Sequence, residues 1–262
     1  MCPLILCSHM KVPLSLLSVA VALLCAACAF GQTVAYQFKA GDFTATTDSA
    51  TWAAAGGGSV MTSVHSATNG WSLAVKEGGA VCFDNGVSSP LGFPDSATNT
   101  VAYAFAVVEC SEPSNHATLI DAPCSIRFIP SLFDDSATRF YERQINNAVA
   151  LSINGTETNV FTAATLPQLV EVAFDSPCAL NGIYVGGAPA TAAWGQSWRG
   201  AVAELILLAD TPTDERLNAL RRYLALKHGL AVPTESDGGI VATLAAMGVD
   251  TDGLFNSVFL VK

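Results

Sequence analysis

A chain of 262 residues is long enough to enclose a full hydrophobic core in one large domain or two small ones. Apolar residues make up 51% of the chain and charged residues 13%, and its many Ala, Thr, Ser, Gly and Val residues favour short strands over helices. The formal net charge is -10 and Lys and Arg form no cluster, which argues against a nucleic-acid partner.

The first 31 residues have the pattern of a secretory signal peptide. Lys11 supplies the positive region, residues 14–28 are apolar, and small residues follow, so cleavage is predicted after Ala29 or Gly31. A transmembrane anchor is the alternative, but the apolar run is shorter than the about 20 residues that span a bilayer. A lipoprotein is ranked second to a cleaved signal peptide, because the aliphatic residue normally found three positions before the modified cysteine is missing. We therefore expect a secreted or cell-surface protein, with no transmembrane span in the mature chain.

Eight segments of the mature chain show the alternation or the short apolar runs that are typical of β-strands. They are residues 33–40, 80–86, 100–110, 125–131, 148–155, 168–174, 182–187 and 201–208. Turn-forming residues separate them, and Asn154-Gly155 predicts a type I′ hairpin, because both central residues of that turn need positive φ. Many short strands at regular spacing predict an antiparallel sandwich or jelly roll rather than a parallel α/β sheet.

One amphipathic helix is predicted directly after the last strand. Thr211 is expected to cap its N-terminus, Pro212 to be its first residue, and Gly229 to be the left-handed cap at its end. A stripe of leucines should pack on the sheet that contains residues 201–208. The face expected to point away carries three arginines: Arg216, Arg221 and Arg222. Residues 233–262 are interpreted as a linker and a short tail, which either adds to the sandwich or extends from it.

Four cysteines follow the predicted signal segment: Cys82, Cys110, Cys124 and Cys178. An even number in an exported protein permits two disulfides, with three possible connectivities. Cys110 and Cys124 flank one predicted turn, which favours their pairing. The alternative is that all four are buried thiols, because a sandwich core accepts cysteine as a small apolar residue.

Residues 198–230 resemble the C-terminal signature of bacterial laminin-G-like, concanavalin A-like jelly-roll domains. The shared features are a glycine, a strand that carries an acid, a Ser/Thr-Asp-Glu-Arg turn and a helix that ends near Lys-x-Gly-Leu. Weaker likeness upstream extends the resemblance over most of 33–232. It implies an all-β, two-sheet antiparallel jelly-roll sandwich over residues 32–232, with one C-terminal amphipathic helix packed on it. It also implies a binding role, and some relatives hold calcium at the rim of the sandwich, the one cofactor to consider.

The sequence offers no catalytic constellation and no metal site. It lacks the paired carboxylates along one strand that glycosidases on such sandwiches use, and it lacks a Gly-x-Ser-x-Gly motif. Glu204 is an acid within the apolar strand 201–208, and we expect it to face outward or to pair with an arginine of the following helix. The acidic run at 250–253 is interpreted as a turn rather than as a calcium loop.

Aromatic side chains are the candidates for ligand binding, because a ring face can stack on the apolar face of a sugar. Trp71 and Trp194 lie beside glycines in loop-like segments, and Tyr184 is the third candidate. Trp52 and Trp198 are assigned to packing. The first hypothesis is a secreted or cell-surface module that binds a glycan. The alternatives are a structural or adhesive surface protein that binds other proteins and, third, a glycoside hydrolase on the same fold.

Overall fold

The computed structural model describes twelve segments of the chain. They are residues 35–64, 73–76, 79–83, 90–110, 117–121, 126–130, 138–140, 148–158, 160–161, 167–187, 198–233 and 239–255. The predicted signal segment lies outside them. The described strands are β1 (Ala35–Ala45), β2 (Ala50–Ala54), β3 (Val60–Ser63), β4 (Ala74–Lys76), β5 (Ala80–Cys82), β6 (Leu91–Gly92), β7 (Thr100–Cys110), β8 (Thr118–Asp121), β9 (Ile126–Pro130), β10 (Thr138–Phe140), β11 (Ala148–Ile153), β12 (Thr156–Glu157), β13 (Val160–Phe161), β14 (Gln168–Ala179), β15 (Tyr184–Val185) and β16 (Gly200–Leu208). The helices are α1 (Asp214–His228) and α2 (Ile240–Ala246), and a 3-10 turn covers Leu180–Gly182.

Every pairing among the described strands is antiparallel, as the sequence predicts. The strands follow the order β12-β11-β14-β7-β16-β1-β2-β3-β6-β15-β8-β9-β10-β13, and the β4–β5 hairpin pairs with β16 through β5. The path folds back on itself, because Phe161 near its far end packs edge-on against Trp198, which precedes the central strand β16. Their ring centroids are 6.3 Å apart. The result is an antiparallel β-sandwich with an internal hydrophobic core.

The predicted hairpin at Asn154-Gly155 is confirmed. Both residues have positive φ, 51° and 76°, and they join β11 to β12. The Asn154 side chain also accepts a hydrogen bond from the backbone N–H of Leu169 at 2.8 Å, which ties the turn to β14. A local turn signal therefore fixes the register of these strands.

The central strands are buried on both faces, which explains why their sequences are almost wholly apolar. Along β7, Ala104, Ala106 and Val108 face the interior of the sandwich, while Tyr103, Phe105 and Val107 face the helices. The alternation follows from the two-residue period of a strand. A second core therefore lies outside the sheet, and α1 covers it as predicted.

Helix α1 begins two residues later than the sequence suggested. Thr213, and not Thr211, is the N-cap: its backbone is extended and its hydroxyl accepts a hydrogen bond from the N–H of Arg216 at 3.4 Å. Pro212 consequently lies before the helix. Gly229 has φ 65° and ends the helix in the left-handed conformation, which confirms the predicted C-cap.

Residues 239–255 pack against the same outer core as α1. The core buries apolar side chains of α2 and of the chain that follows it: Ile240, Leu244, Met247, Val249 and Phe255. Each such burial stabilises the fold by about 1.5–3 kcal/mol relative to exposure. Within the described residues, no helix is both long enough and apolar enough to cross a membrane.

Candidate functional site

A cleft opens where β1 separates from β2. The two strands pair at Phe38 with Ala54 and again at Phe43 with Trp52, and the register shifts between these points, so residues 39–42 form a bulge. The indole N–H of Trp52 donates to the carbonyl oxygen of Lys39 at 2.6 Å and replaces a lost ladder bond. The bulge is thus held open by a fully buried tryptophan, which confirms its predicted packing role.

The cleft has a volume of about 550 Å³, inside the range of about 300–1,000 Å³ typical of small-molecule sites. One wall is the β1 bulge, which contributes Asp42 and Gly41. The others are the turn after β2, Gly79 and the C-terminal end of α1 with the residues 250–252 that follow α2. Strands, one helix end and two turns thus position its polar groups.

Glu204 is the buried acid at the base of this region, and its side chain is fully inaccessible. It lies at a bulge in β16, which turns it toward α1 instead of the sandwich interior. One carboxylate oxygen accepts from Gln37 Nε2 at 2.5 Å and from the Tyr223 hydroxyl at 2.9 Å. The other accepts from His228 Nε2 at 2.8 Å and lies 3.0 Å from Lys227 Nζ. Four donors therefore satisfy the buried carboxylate.

The charge state of this group follows from its partners. Burial alone would raise the pKa of Glu204, but the His228 hydrogen bond, the Lys227 charge and the Gln37 hydrogen bond together lower it. The carboxylate is therefore ionised at neutral pH, and His228 must donate through Nε2. Burial and the neighbouring Glu204 charge raise the pKa of Tyr223, so its phenol stays protonated and serves as a donor.

Gln37 connects this carboxylate to the C-terminal segment. Its amide oxygen accepts from the backbone N–H of Asp250 at 2.8 Å, and its amide nitrogen donates to the carbonyl oxygen of Asp250 at 3.1 Å. One buried side chain thereby satisfies both backbone groups of a residue 213 positions away in the sequence. The segment after α2 is fixed against β1 by this pairing.

Ion pairs cover the network on its cleft side. Lys39 Nζ lies 2.6 Å from a carboxylate oxygen of Asp250 and 2.6 Å from one of Asp252, while Lys227 Nζ lies 2.8 Å from Asp252. The Lys39 side chain is only 11% exposed, whereas those of Asp250 and Asp252 are 60% and 50% exposed. The solvent side of the ion-pair cluster is therefore carboxylate, with the ammonium groups beneath it.

These contacts also set the pKa values of the cluster. The hydrogen bond from Lys39 lowers the pKa of Asp250. Burial would raise the pKa of Asp252, but the hydrogen bonds from Lys227 and Lys39 lower it overall. Burial would lower the pKa of Lys39, and its two aspartate partners raise it overall. All three groups are therefore charged at neutral pH.

A second buried acid lies on the same sheet face, outside the cleft. Glu171 of β14 has a fully buried side chain and receives two hydrogen bonds from Arg221 Nε and one from Arg221 Nη2, the last at 2.7 Å. The prediction that Arg221 points away from the sheet is therefore wrong. Glu204 does lie on the outward face of the sheet, as expected, but its charged partners on α1 are Lys227 and His228 and not an arginine. Both acids bind α1 to the sheet.

Of the three aromatic candidates for ligand binding, the structure describes only Tyr184. Trp71 and Trp194 lie outside the described residues, so their role stays a prediction. Tyr184 is half-buried in β15, and its ring lies so close to Gly92 that a β-carbon there would come within 2.7 Å of it. It is not among the described residues that line the cleft. Trp198 is fully buried and donates to the carbonyl oxygen of Glu109, which confirms its packing role.

Three of the four cysteines of the predicted mature chain lie within the described residues. Cys110 and Cys178 are buried and Cys82 is half-buried, while Cys124 lies outside the described residues. The proposed pairing of Cys110 with Cys124 therefore stays a prediction.

The ion-pair cluster does not fit a calcium site. Calcium takes six to eight oxygen ligands, and the carboxylates of Asp250 and Asp252 are instead engaged by ammonium groups. Across the part of the chain that the structure describes, no group of three His, Cys, Asp or Glu side chains is arranged to hold a metal ion.

The sequence did not point to Gln37, Lys39, Asp42 and the end of α1 as one site. A signal was present in β1, where Gln37 and Lys39 occupy alternate positions of an apolar strand and therefore share one face. Glu204 is the register partner of Lys39 on β16, so the polar positions of two strands meet. That these polar positions form one site is seen only once the pairing of β1 with β16 is known.

Comparison with known proteins adds little to this geometry. No family model matches the chain, and no curated protein matches it. Among solved structures, it is similar to domain 4 of AbnA, a GH43 extracellular arabinanase from Geobacillus stearothermophilus, in complex with arabinotriose. The likeness has 17% identity and a TM-score of 0.32, and it covers 53% of this chain and 74% of that one. A TM-score of this size assigns neither fold family nor function to this chain.

Proposed function

We propose that this protein is a secreted or cell-surface module of the laminin-G-like, concanavalin A-like type, and that it binds carbohydrate without catalysis. The observation that carries the proposal is the polar cleft of about 550 Å³ between the β1 bulge and the C-terminal segment. Its walls belong to strands and to a capped helix, so the polar groups are held in place before a ligand arrives. Such preorganisation limits the entropy lost on binding.

The chemistry of the cleft suits a hydroxyl-rich ligand. Sugar hydroxyls both donate and accept, and the carboxylates of Asp42, Asp250 and Asp252 offer acceptors for them. Hydrogen bonds to ionised acceptors are about twice as strong as those between neutral groups. Gly41, Gly56 and Gly79 add backbone to the walls without side chains that would narrow the opening.

A structural or adhesive protein that binds other proteins is the second candidate, and one observation favours it. The charged groups of the ion-pair cluster already bind one another, which is sufficient to hold the C-terminal segment on the sheet. In addition, no Phe, Tyr or Trp side chain of the described residues lines the cleft. A protein that only displays or spaces other proteins needs nothing more from these groups.

A glycan array distinguishes the two candidates. The full-length chain is expressed with its own N-terminal segment, purified after export, and applied once with calcium and once with chelator. We expect binding to polysaccharides in both buffers. Asp42→Ala should reduce it at least tenfold, because this exposed carboxylate faces the cleft. The control is Asp48→Ala, an exposed aspartate of the β1–β2 turn that does not line the cleft.

Each outcome of the array has a defined meaning. Loss of binding with Asp42→Ala but not with Asp48→Ala supports the cleft. Loss with Trp71→Ala or Trp194→Ala instead moves the site to those tryptophans. A blank array in both buffers rejects glycan binding and favours the structural or adhesive candidate. Release of new reducing ends from a bound polysaccharide would contradict the absence of catalysis.

A further inference from the structure

A second cavity lies beside the cleft and shares a wall with it. It has a volume of about 360 Å³ and is lined by Ser59, Val60, Phe93, Thr98 and Leu180, among others. The shared wall is the turn between β2 and β3: Ala55 and Gly56 line the cleft, while Gly58 and Ser59 line the second cavity. Both volumes are in the range of small-molecule sites.

The loop that forms the far side of the second cavity is held by backbone hydrogen bonds. Within residues 93–99, the N–H of Ala97 donates to the carbonyl oxygen of Pro94 at 2.8 Å. The 3-10 turn at 180–182 fixes the loop from outside: Leu180 donates to Asn99 at 2.8 Å, and Asn181 donates to Ala97 at 2.9 Å. The cavity is therefore preformed and does not depend on a ligand to order it.

The turn that separates the two cavities contains three successive glycines, so no side chains project from it into the space between them. Gly56, Gly57 and Gly58 have φ values of 80°, 83° and 100°, which L side chains rarely adopt. A β-carbon built on any of them would meet no atom within 4 Å, so the space over the turn is open. Two hydrogen bonds keep the turn in place, from Ala54 to Ser59 at 2.8 Å and from Gly57 to Ala54 at 3.1 Å.

We propose that the two cavities are successive subsites for one extended glycan chain, which crosses the triglycine turn. This inference rests on the proposed function and adds to it the length and the charge of the ligand. No charged side chain of the described residues lines the second cavity, so an ionic sugar unit would find no counter-charge there. The exposed face of the ion-pair cluster is carboxylate and repels acidic sugars. The ligand is therefore an uncharged oligosaccharide or the end of an uncharged polysaccharide.

Calorimetric titration with oligosaccharides of increasing length tests the inference. The probes are cello-, xylo-, manno- and arabino-oligosaccharides of two to six units, with oligogalacturonates of equal lengths as the acidic comparison. For the series that binds, the association constant should rise at least tenfold between the shortest and the longest member. Thr98→Trp fills the second cavity and should reduce the affinity of the longest member to that of the shortest one for the unaltered protein. The control is Thr47→Trp, at an exposed threonine that lines neither cavity, and it should preserve the rise.

Ser96→Trp, at a second exposed residue of the same loop, repeats the test if Thr98→Trp does not fold. Affinity that is independent of length, or a rise that survives both tryptophan variants, overturns the second subsite while glycan binding stands. Tighter binding of oligogalacturonates than of every neutral series overturns the assignment of an uncharged ligand. No binding of any probe rejects the proposed function and this inference with it.

Discussion

Replacing Glu204 by alanine tests whether the buried network holds α1 on the sheet. The variant removes the acceptor of four donors and leaves Lys227, His228, Gln37 and Tyr223 without it. Removing one partner of a buried ion pair costs about 3–5 kcal/mol. Lys227 and His228 keep 21% and 14% of their side-chain exposure and can be rehydrated, so we expect the lower end, about 3 kcal/mol.

The assay is urea unfolding of wild type and variant at pH 7, with the free energy of unfolding taken from the midpoint and the slope. Glu157→Ala is the matched control, because this glutamate is exposed on β12, and it should cost less than about 0.5 kcal/mol. Glu204→Gln keeps the oxygen that accepts from Gln37 and Tyr223, and it should lose about half as much as Glu204→Ala. Equal stability of Glu204→Ala and Glu157→Ala would refute the reasoning.

The same experiment has a predicted pH dependence. The folded-state pKa of Glu204 is depressed, so its contribution is fully present above its unfolded pKa of about 4.3 and is lost as pH falls through the folded value. The difference between wild type and Glu204→Ala should therefore shrink as the pH falls below about 4. A difference that grows on acidification would contradict the assigned sign.

Three further predictions concern the fold. Leu244→Ala should lower the free energy of unfolding in urea by about 2–5 kcal/mol, because the side chain is fully buried in the outer core. The control is Val241→Ala, whose side chain is at a position of 45% exposure. Equal losses of stability in the two variants would show that α2 is not packed. Gly200→Ala should abolish soluble expression, because its β-carbon would lie 1.9 Å from the carbonyl oxygen of Glu109. Gly41→Ala is the control, because its β-carbon would meet no atom within 4 Å. A soluble Gly200→Ala protein with unchanged Tm would contradict the register of β7 and β16. Arg221→Met should cost about 3–5 kcal/mol by stranding Glu171, and the double variant Arg221→Met with Glu171→Leu should recover most of it; no recovery would count against a buried charge as the cause.

Each of the eight predicted strand segments contains a described strand, because the signal of these strands is local, whereas shorter strands such as β2, β3 and β8 were missed. Period-two alternation, glycine-containing turns and one Asn-Gly hairpin each depend on a few adjacent residues. The start of helix α1 was harder to predict, because threonines flank Pro212 on both sides and either threonine can cap the helix. Which hydroxyl reaches a free N–H is decided by backbone geometry, and it is that of Thr213.

The site could not be predicted, because its parts are distant in sequence and come together only through pairing and packing. Lys39 contacts Asp250 and Asp252 across more than 200 positions, and Arg221 meets Glu171 across 50. The cleft itself arises from a register shift in β1, which no periodic pattern marks. Helical periodicity placed Arg221 on the solvent face because it cannot anticipate a buried acid on a neighbouring strand.

The measurement that tests the central claim most directly is backbone amide chemical-shift mapping with the glycan that binds most tightly in the array. The account predicts the largest shifts at the cleft, at the amides of Gly41, Asp42, Gly56 and Asp252, and smaller ones at Ser59 and Thr98 in the second cavity. Shifts that cluster around Tyr184, Trp71 or Trp194 and leave the β1 bulge unchanged would contradict it.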